Sequence, residues 1–275
     1  MTDAADTLDD GKLTVHHDFV WLLHRNGLDT FESYYDEKLG RLLRDVGPRA
    51  NVRLTLDAAG RPRTFYLKRH EPLRFVEKLR AWLCCRRPRT AARTEWDNIG
   101  RLARLGIATS QPVTLGEDPL TGRSFLMTAE IDSAVPADDF VREHFVSRDA
   151  AVVRNRRRFV RRLARLIRKL HNARMTHRDL YLCHVFVRRI GEEYRLHLID
   201  LQRLGGHVFR RRWRVKDLAQ LEFSRPPEVF SLTDVVRFIR TYFDVDRLGS
   251  REKCFVRSVR RKVRRMRQRA VRETS

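Results

Sequence analysis

Thr176-His177-Arg178-Asp179-Leu180-Tyr181-Leu182-Cys183-His184-Val185-Phe186-Val187, followed downstream by Leu196-His197-Leu198-Ile199-Asp200-Leu201, is the passage whose reading decides the fold. Ahead of it, Phe159, Val160, Leu163, Leu166, Ile167 and Leu170 recur at three- and four-residue spacing, with arginines in most of the gaps. That spacing predicts a long amphipathic helix from about Arg154 to Ala173. After the His-Arg-Asp triplet come two short strand-like runs, residues 183–189 and 194–200, on either side of a turn at Gly191. A hairpin so placed brings the positions of Asp179 and Asp200 together across about twenty residues of chain. Alone, the first aspartate is a turn or cap residue and the second a strand terminus; together, in this context, they form a pair.

Such a pair has a known use. In protein kinases the first aspartate receives the proton of the attacking hydroxyl, and the second holds magnesium against the phosphates of ATP. Those enzymes also need a lysine on a strand and a glutamate on a helix upstream. Here Lys68 closes the strand-like run Phe65-Tyr66-Leu67-Lys68. Glu95 stands near the start of a helix expected from about Thr90 to Leu105, whose stripe is Trp96, Ile99, Leu102 and Leu105. The plainer readings are a solvated lysine and a first-turn acid favoured by the helix dipole. Further strand-like runs at residues 40–46, 51–56, 64–70, 109–115 and 123–131 give five antiparallel strands with one inserted helix. The expected class is α+β: a bilobal protein-kinase-like fold with a small sheet lobe and a mainly helical lobe. The boundaries read as a leader over 1–30, loosely ordered through residue 17, then an N-lobe over 31–131, a C-lobe over 132–250 and a tail over 251–275. Near Ser231 a further helix starts, since Ser231 and Asp234 have capping-box spacing.

The departures from a signalling kinase are equally informative. Five residues after Asp179, where protein kinases place a metal-binding Asn, stands His184. It is a candidate metal ligand beside Asp200, although imidazole suits magnesium less well than oxygen does. A hydrogen bond from it to Asp179 or to phosphate is the alternative. Tyr181 occupies the place where serine/threonine kinases often carry a lysine, and Leu201-Gln202 follow Asp200 in place of Phe-Gly. There is no Gly-rich loop; Gly47 alone marks the hairpin expected over the nucleotide, with Arg49 and Asn51 nearby. His177 is expected to pack as a structural residue and Cys183 as a small buried thiol.

With 58 Lys and Arg against 35 Asp and Glu, the formal charge is +23. An excess of this size implies an anionic partner: a phosphorylated substrate, an anionic membrane surface or nucleic acid. Residues 251–272 read as a basic amphipathic helix with the stripe Val256, Val259, Val263, Met266 and Ala270. Packing of that stripe on the lobe above is the first reading, docking on an anionic membrane or substrate the second, nucleic acid the last. No run of about eighteen apolar residues suggests a transmembrane helix. The acidic N-terminus resembles neither a secretory signal nor a transit peptide. Four cysteines, Cys84, Cys85, Cys183 and Cys254, show no CxxC spacing, which implies reduced thiols and no zinc site.

Three runs carry a family resemblance: THRDLYLCHVFV (residues 176–187), LHLIDLQRL (196–204) and RRWRVKDLAQLEFS (211–224). With FYLKRH (65–70), RTEWDNIGRLARLGIATSQPV (93–113) and PLTGRSFLMT (119–128) upstream, the chain resembles the lipopolysaccharide kinase family from about Phe31 to Phe243. The likeness is greatest to the kinases of the inner-core heptose. The resemblance implies a protein-kinase-like fold that uses ATP and Mg2+ to phosphorylate a sugar hydroxyl of an anionic glycolipid. It makes Asp179 the catalytic aspartate, Asp200 the metal aspartate, Lys68 and Glu95 the nucleotide-gripping pair, and Asp217 a structural support of the catalytic loop. The N-terminus and the reduced thiols read as cytoplasmic, and the glycolipid that the resemblance implies sits at the inner face of the cell membrane. A kinase of the same fold with a protein or other small-molecule acceptor is the alternative. An inactive basic scaffold is the third reading, and retention of Lys68, Glu95, Asp179 and Asp200 argues against it.

Overall fold

Side-chain alternation builds the first of two units. In β4 (Arg49–Asp57), Val52, Leu54 and Leu56 are buried while Arg53, Thr55 and Asp57 are exposed, the period-two pattern of a half-covered strand. The computed structural model describes residues 5–72, 89–206 and 210–274, and they divide into the units Met1–Ile131 and Asp132–Ser275. The first unit holds β1 (Ala5–Leu8), β2 (Leu13–His16), α1 (Val20–Arg25), β3 (Arg41–Val46), β4, β5 (Pro62–His70), α2 (Ala91–Arg104), β6 (Pro112–Glu117) and β7 (Ser124–Ala129). Its antiparallel sheet runs β1-β2-β6-β7-β5-β4-β3.

Every residue of β7 is buried, because both faces of the sheet are covered there. Phe125, Met127 and Ala129 join a core with Leu13, Val15, Phe19, Phe31, Tyr34, Leu54 and Phe65. The intervening residues point to the other face, where α2 packs on β5, β6 and β7 and buries Trp96, Ile99 and Leu102. Gly116 sits opposite Phe125 in the β6–β7 register, and a Cβ there would lie 2.0 Å from the Phe125 ring. Only glycine lets the ring lie flat across the strand.

The N-terminal leader is a correction. Residues 5–16 are not loose: β1 and β2 form a hairpin, and β2 pairs with β6 from Leu13↔Gly116 to Val15↔Thr114. Leu13 and Val15 are fully buried, so hydrophobic burial fixes the segment that its acidic composition made look free.

The second unit contains β8 (Ala134–Pro136), α3 (Ala137–His144), α4 (Ala150–Asn172), β9 (Val185–Ile190), β10 (Glu193–Leu198), α5 (Arg210–Phe223), α6 (Leu232–Phe243) and α7 (Ser250–Thr274). A small sheet orders them β10-β9-β8. The α4 stripe buries Phe159, Val160, Leu163, Ile167 and Leu170, and Ser231 with Asp234 forms the capping box of α6. The last helix packs in part: Val263 of the expected stripe and the neighbouring Phe255 are buried, Val256, Val259, Met266 and Ala270 are half-buried, and the Phe255 ring meets Phe243 edge-on at 5.5 Å. Among the described residues no helix is long and apolar enough to cross a membrane. A sheet unit and a mainly helical unit make the class α+β, with the elements of the protein-kinase-like fold.

Because Leu13 is part of the core, Leu13→Ala is expected to cost about 2–5 kcal/mol, read as a lowered urea midpoint. An unchanged midpoint would restore the loose leader.

Candidate active site

In the first unit Lys68 lies on β5, opposite Asn51 of β4 and Leu126 of β7. It alternates with the core-facing Leu67, so its side chain rises from the sheet face that α2 covers. There its Nζ donates to Glu95 Oε1 at 2.5 Å. The side chains are 17% and 4% exposed. That decides against the plainer readings, since a carboxylate is buried to this degree only when paired. Gly47 holds the β3–β4 turn with φ +57° and open space around it, so the turn's left-handed backbone explains the glycine. Along β4 from that turn, Arg49 Nε donates to Asn51 Oδ1 at 3.3 Å.

In the second unit the loop after α4 is tied residue by residue to α5. Asp217 is fully buried and accepts from the backbone N–H of His177 at 2.8 Å and of Arg178 at 2.7 Å. Its Oδ2 also accepts from His171 Nε2 at 3.0 Å. Lys216 Nζ donates to the Arg178 carbonyl at 2.5 Å. Gln220 accepts from Leu180 N–H and donates to Asp179 Oδ1, each at 3.2 Å, and Ser224 Oγ accepts from Leu182 N–H at 2.8 Å. Arg178 adopts φ +67°, a conformation that disfavours a side chain and persists only where its surroundings fix it. The Asp217 bonds on either side of its peptide do so. His177 is buried and donates from Nε2 to the Ile199 carbonyl at 2.9 Å; burial pushes its pKa down, so it serves as a neutral strut.

The β9–β10 hairpin closes with Leu198 opposite Val185, and Ile199 N–H donates to the His184 carbonyl at 3.1 Å. This register sets Asp200 beside the loop. Ligand atoms of Asp179, His184 and Asp200 all lie within 4.8 Å of one another. Asp200 adopts φ +57°, the second left-handed non-glycine residue at this spot. His184 Nδ1 donates to the Asp179 main-chain oxygen at 2.7 Å, and its Nε2 faces Asp200 Oδ2 at 4.0 Å. Burial works against its charge, but the Cys183 sulfur, the Asp179 carbonyl and the Asp200 carboxylate outweigh burial and push its pKa up to about 9. The two carboxylates suit a hard divalent cation. The His184 ring, with Nδ1 committed to a carbonyl, presents Nε2 to the same cluster, although imidazole suits such a cation less well than oxygen does.

The residues singled out in the sequence thus fall into two local groups: Lys68 with Glu95 in one unit, and Asp179, His184 and Asp200 in the other. Sequence reading missed Lys216, Gln220 and Ser224 as holders of the loop. The available signal was a polar line at positions 216, 217, 220 and 224, at the spacing of one side of a helix. Cys183 is a correction: it is exposed, because the 3-10 turn Leu182–His184 buries Leu182 and turns its neighbour outward. Cys84 and Cys85 lie outside the described residues.

Each group by itself, a clamped loop aspartate next to a second carboxylate in one unit and a strand lysine held by a helix glutamate in the other, is of the kind that protein kinases carry. Residues 61–242 match the lipopolysaccharide kinase (Kdo/WaaP) family. The lipopolysaccharide core heptose(I) kinase WaaP of Pseudomonas aeruginosa is 32% identical over 226 residues, covering 79% of this chain and 82% of that protein. WaaP of Escherichia coli K12 is 31% identical over 213 residues, with coverage of 74% and 78%. A solved structure of WaaP in complex with acyl carrier protein superposes with a TM-score of 0.69 at 29% identity, over 92% of this chain and 98% of that one. The chain belongs to the lipopolysaccharide kinase family and is an ATP-dependent kinase.

An imidazole that binds its proton more tightly when folded stabilises the fold fully below its unfolded pKa of 6.5, and that contribution is lost as pH rises through about 9. The stability gap between wild type and His184→Gln should therefore narrow between about pH 6 and about pH 9.5 in urea titrations. A constant gap would show that His184 carries no such proton.

Proposed function

We propose that this enzyme transfers the γ-phosphate of ATP to a hydroxyl of a heptose in the lipopolysaccharide inner core. The observation that carries the reading is the Asp179 carboxylate, fixed by Gln220 on a clamped loop within reach of Asp200, in a chain of this family. Lys68, held by Glu95, is assigned to the nucleotide phosphates as a fixed positive charge. Gly47 is assigned to the turn over them, with Arg49 and Asn51 as the polar side chains that take the place of a Gly-rich loop. Asp179 orients the attacking hydroxyl and takes its proton. Asp200, together with Asp179, is assigned to Mg2+, which when bound neutralises charge on the phosphates. His184, whose Nε2 lies in the same cluster, is the further candidate ligand of that ion. The acceptor oxygen forms its bond to phosphorus while the bond to the leaving ADP oxygen breaks, with the electron pair departing on ADP.

The basic surface supports an anionic acceptor at a membrane face. On α7, opposite the buried Phe255 and Val263, Lys253, Arg257, Arg261 and Arg264 are exposed at four- and three-residue steps. None of them pairs with a carboxylate among the described residues. Each is expected to add at most about 1 kcal/mol of attraction to anionic lipid.

The test supplies purified enzyme with Mg2+, labelled ATP and inner core lacking its heptose phosphates, presented in anionic or zwitterionic vesicles. Label should enter the core, faster on anionic vesicles at low salt, and Asp179→Ala should lower kcat by about 10²–10⁴-fold. Full turnover in folded Asp179→Ala, or label entering only a different acceptor, would overturn the reading.

A further inference from the structure

Lys216 is placed where a structural tie does not need a charge. Its Nζ donates to the Arg178 carbonyl, one residue before Asp179, and lies 5.6 Å from the centre of the Trp213 ring. The Arg178 guanidinium stacks over the same ring at 4.3 Å. A neutral amide could cap that carbonyl equally well. An ammonium in this place is partly desolvated, which lowers its pKa; the carboxylates of Asp179 and Asp217 act the other way, and the guanidinium groups of Arg203 and Arg178 oppose its charge. Partial burial and like-charged neighbours both cost free energy, and Asp179 is the largest charge effect acting against that cost, so the ammonium is held for the sake of the group beside it. The loop provides a second observation: Tyr181 stands where a serine/threonine kinase often has its lysine. Only one of the three ammonium donors is used among the described residues.

We propose that Lys216, reaching in from α5, is a catalytic residue that contacts the phosphoryl group in transfer and offsets its charge beside Asp179. The inference rests on the phosphotransfer reading above. Lys216 exchanges no proton in the step: the hydroxyl proton goes to Asp179 and the electron pair to ADP, while the ammonium meets the peripheral phosphoryl oxygens. Preorganised charge aimed at such oxygens strengthens as the transition state forms, so it acts on kcat more than on substrate binding.

Lys216→Gln keeps a donor for the Arg178 carbonyl and removes the charge; Lys216→Arg keeps the charge. In the labelled transfer assay Lys216→Gln should lose about 100-fold in kcat, with KM for ATP and the urea midpoint unchanged, and Lys216→Arg should recover part of the loss. A second measurement needs no acceptor: wild type should bind ADP with fluoroaluminate more tightly than ADP alone, and Lys216→Gln should lose that gain. Wild-type kcat and an intact fluoroaluminate gain in Lys216→Gln, with Asp179→Ala inactive, would overturn this inference alone. Full turnover by Asp179→Ala would instead overturn the reading on which it rests.

Discussion

The buried carboxylate of Asp217 is the constraint on which the second unit depends. A charge removed from water must be met by donors, and three meet it: the N–H groups of His177 and Arg178 and the His171 ring. Burial pushes the His171 pKa down, so its Nδ1 is free to accept from the Tyr242 hydroxyl at 2.8 Å, and Arg214 Nε donates to the same oxygen at 2.7 Å. One polar chain therefore ties α4, α5 and α6 to the loop. A network of this kind specifies a single arrangement, because any partial version leaves a buried polar atom unmet.

That arrangement is what gives the aspartates their geometry. Arg178 and Asp200 both hold left-handed backbones, each costing on the order of 1–3 kcal/mol, and each flanks or belongs to the carboxylate cluster. Asp217 holds the first, and the register of the β9–β10 hairpin delivers the second. Strain at two residues is thus carried by a clamp and a hairpin that lie outside the reacting groups. The first unit solves a simpler problem. A sheet covered on both faces fixes the height of Lys68, and α2 brings Glu95 to it, so one buried ion pair has little freedom to relax.

Much of this was legible in the sequence, for physical reasons. Asp179 and Asp200 stand out because a periodic helix, a triplet and a hairpin leave little choice about where they meet. Lys68 and Glu95 follow from strand alternation and helix spacing. The N-terminal hairpin was not legible: its strands are four residues long, and only Leu13 and Val15, either side of Thr14, give any alternation. Burial of those two residues depends on β6, about a hundred residues away, and local pattern cannot report that. The partners of the loop were hidden for a different reason. Gln220 and Ser224 are residues that usually face water; that Gln220 is buried and Ser224 half-buried follows from the N–H groups they satisfy in a distant segment. Asp217 was reached through family resemblance; the spacing of residues around it does not reveal that it accepts three bonds.

The central claim is that Asp217 holds the loop on which Asp179 stands, and amide hydrogen exchange tests it most directly. The N–H groups of His177 and Arg178 should be among the best protected of the second unit in the wild type. In Asp217→Asn, which keeps the shape and removes the charge, they should exchange far faster while amides in the middle of α4 keep their protection. Equal protection of His177 and Arg178 in both proteins would contradict the account.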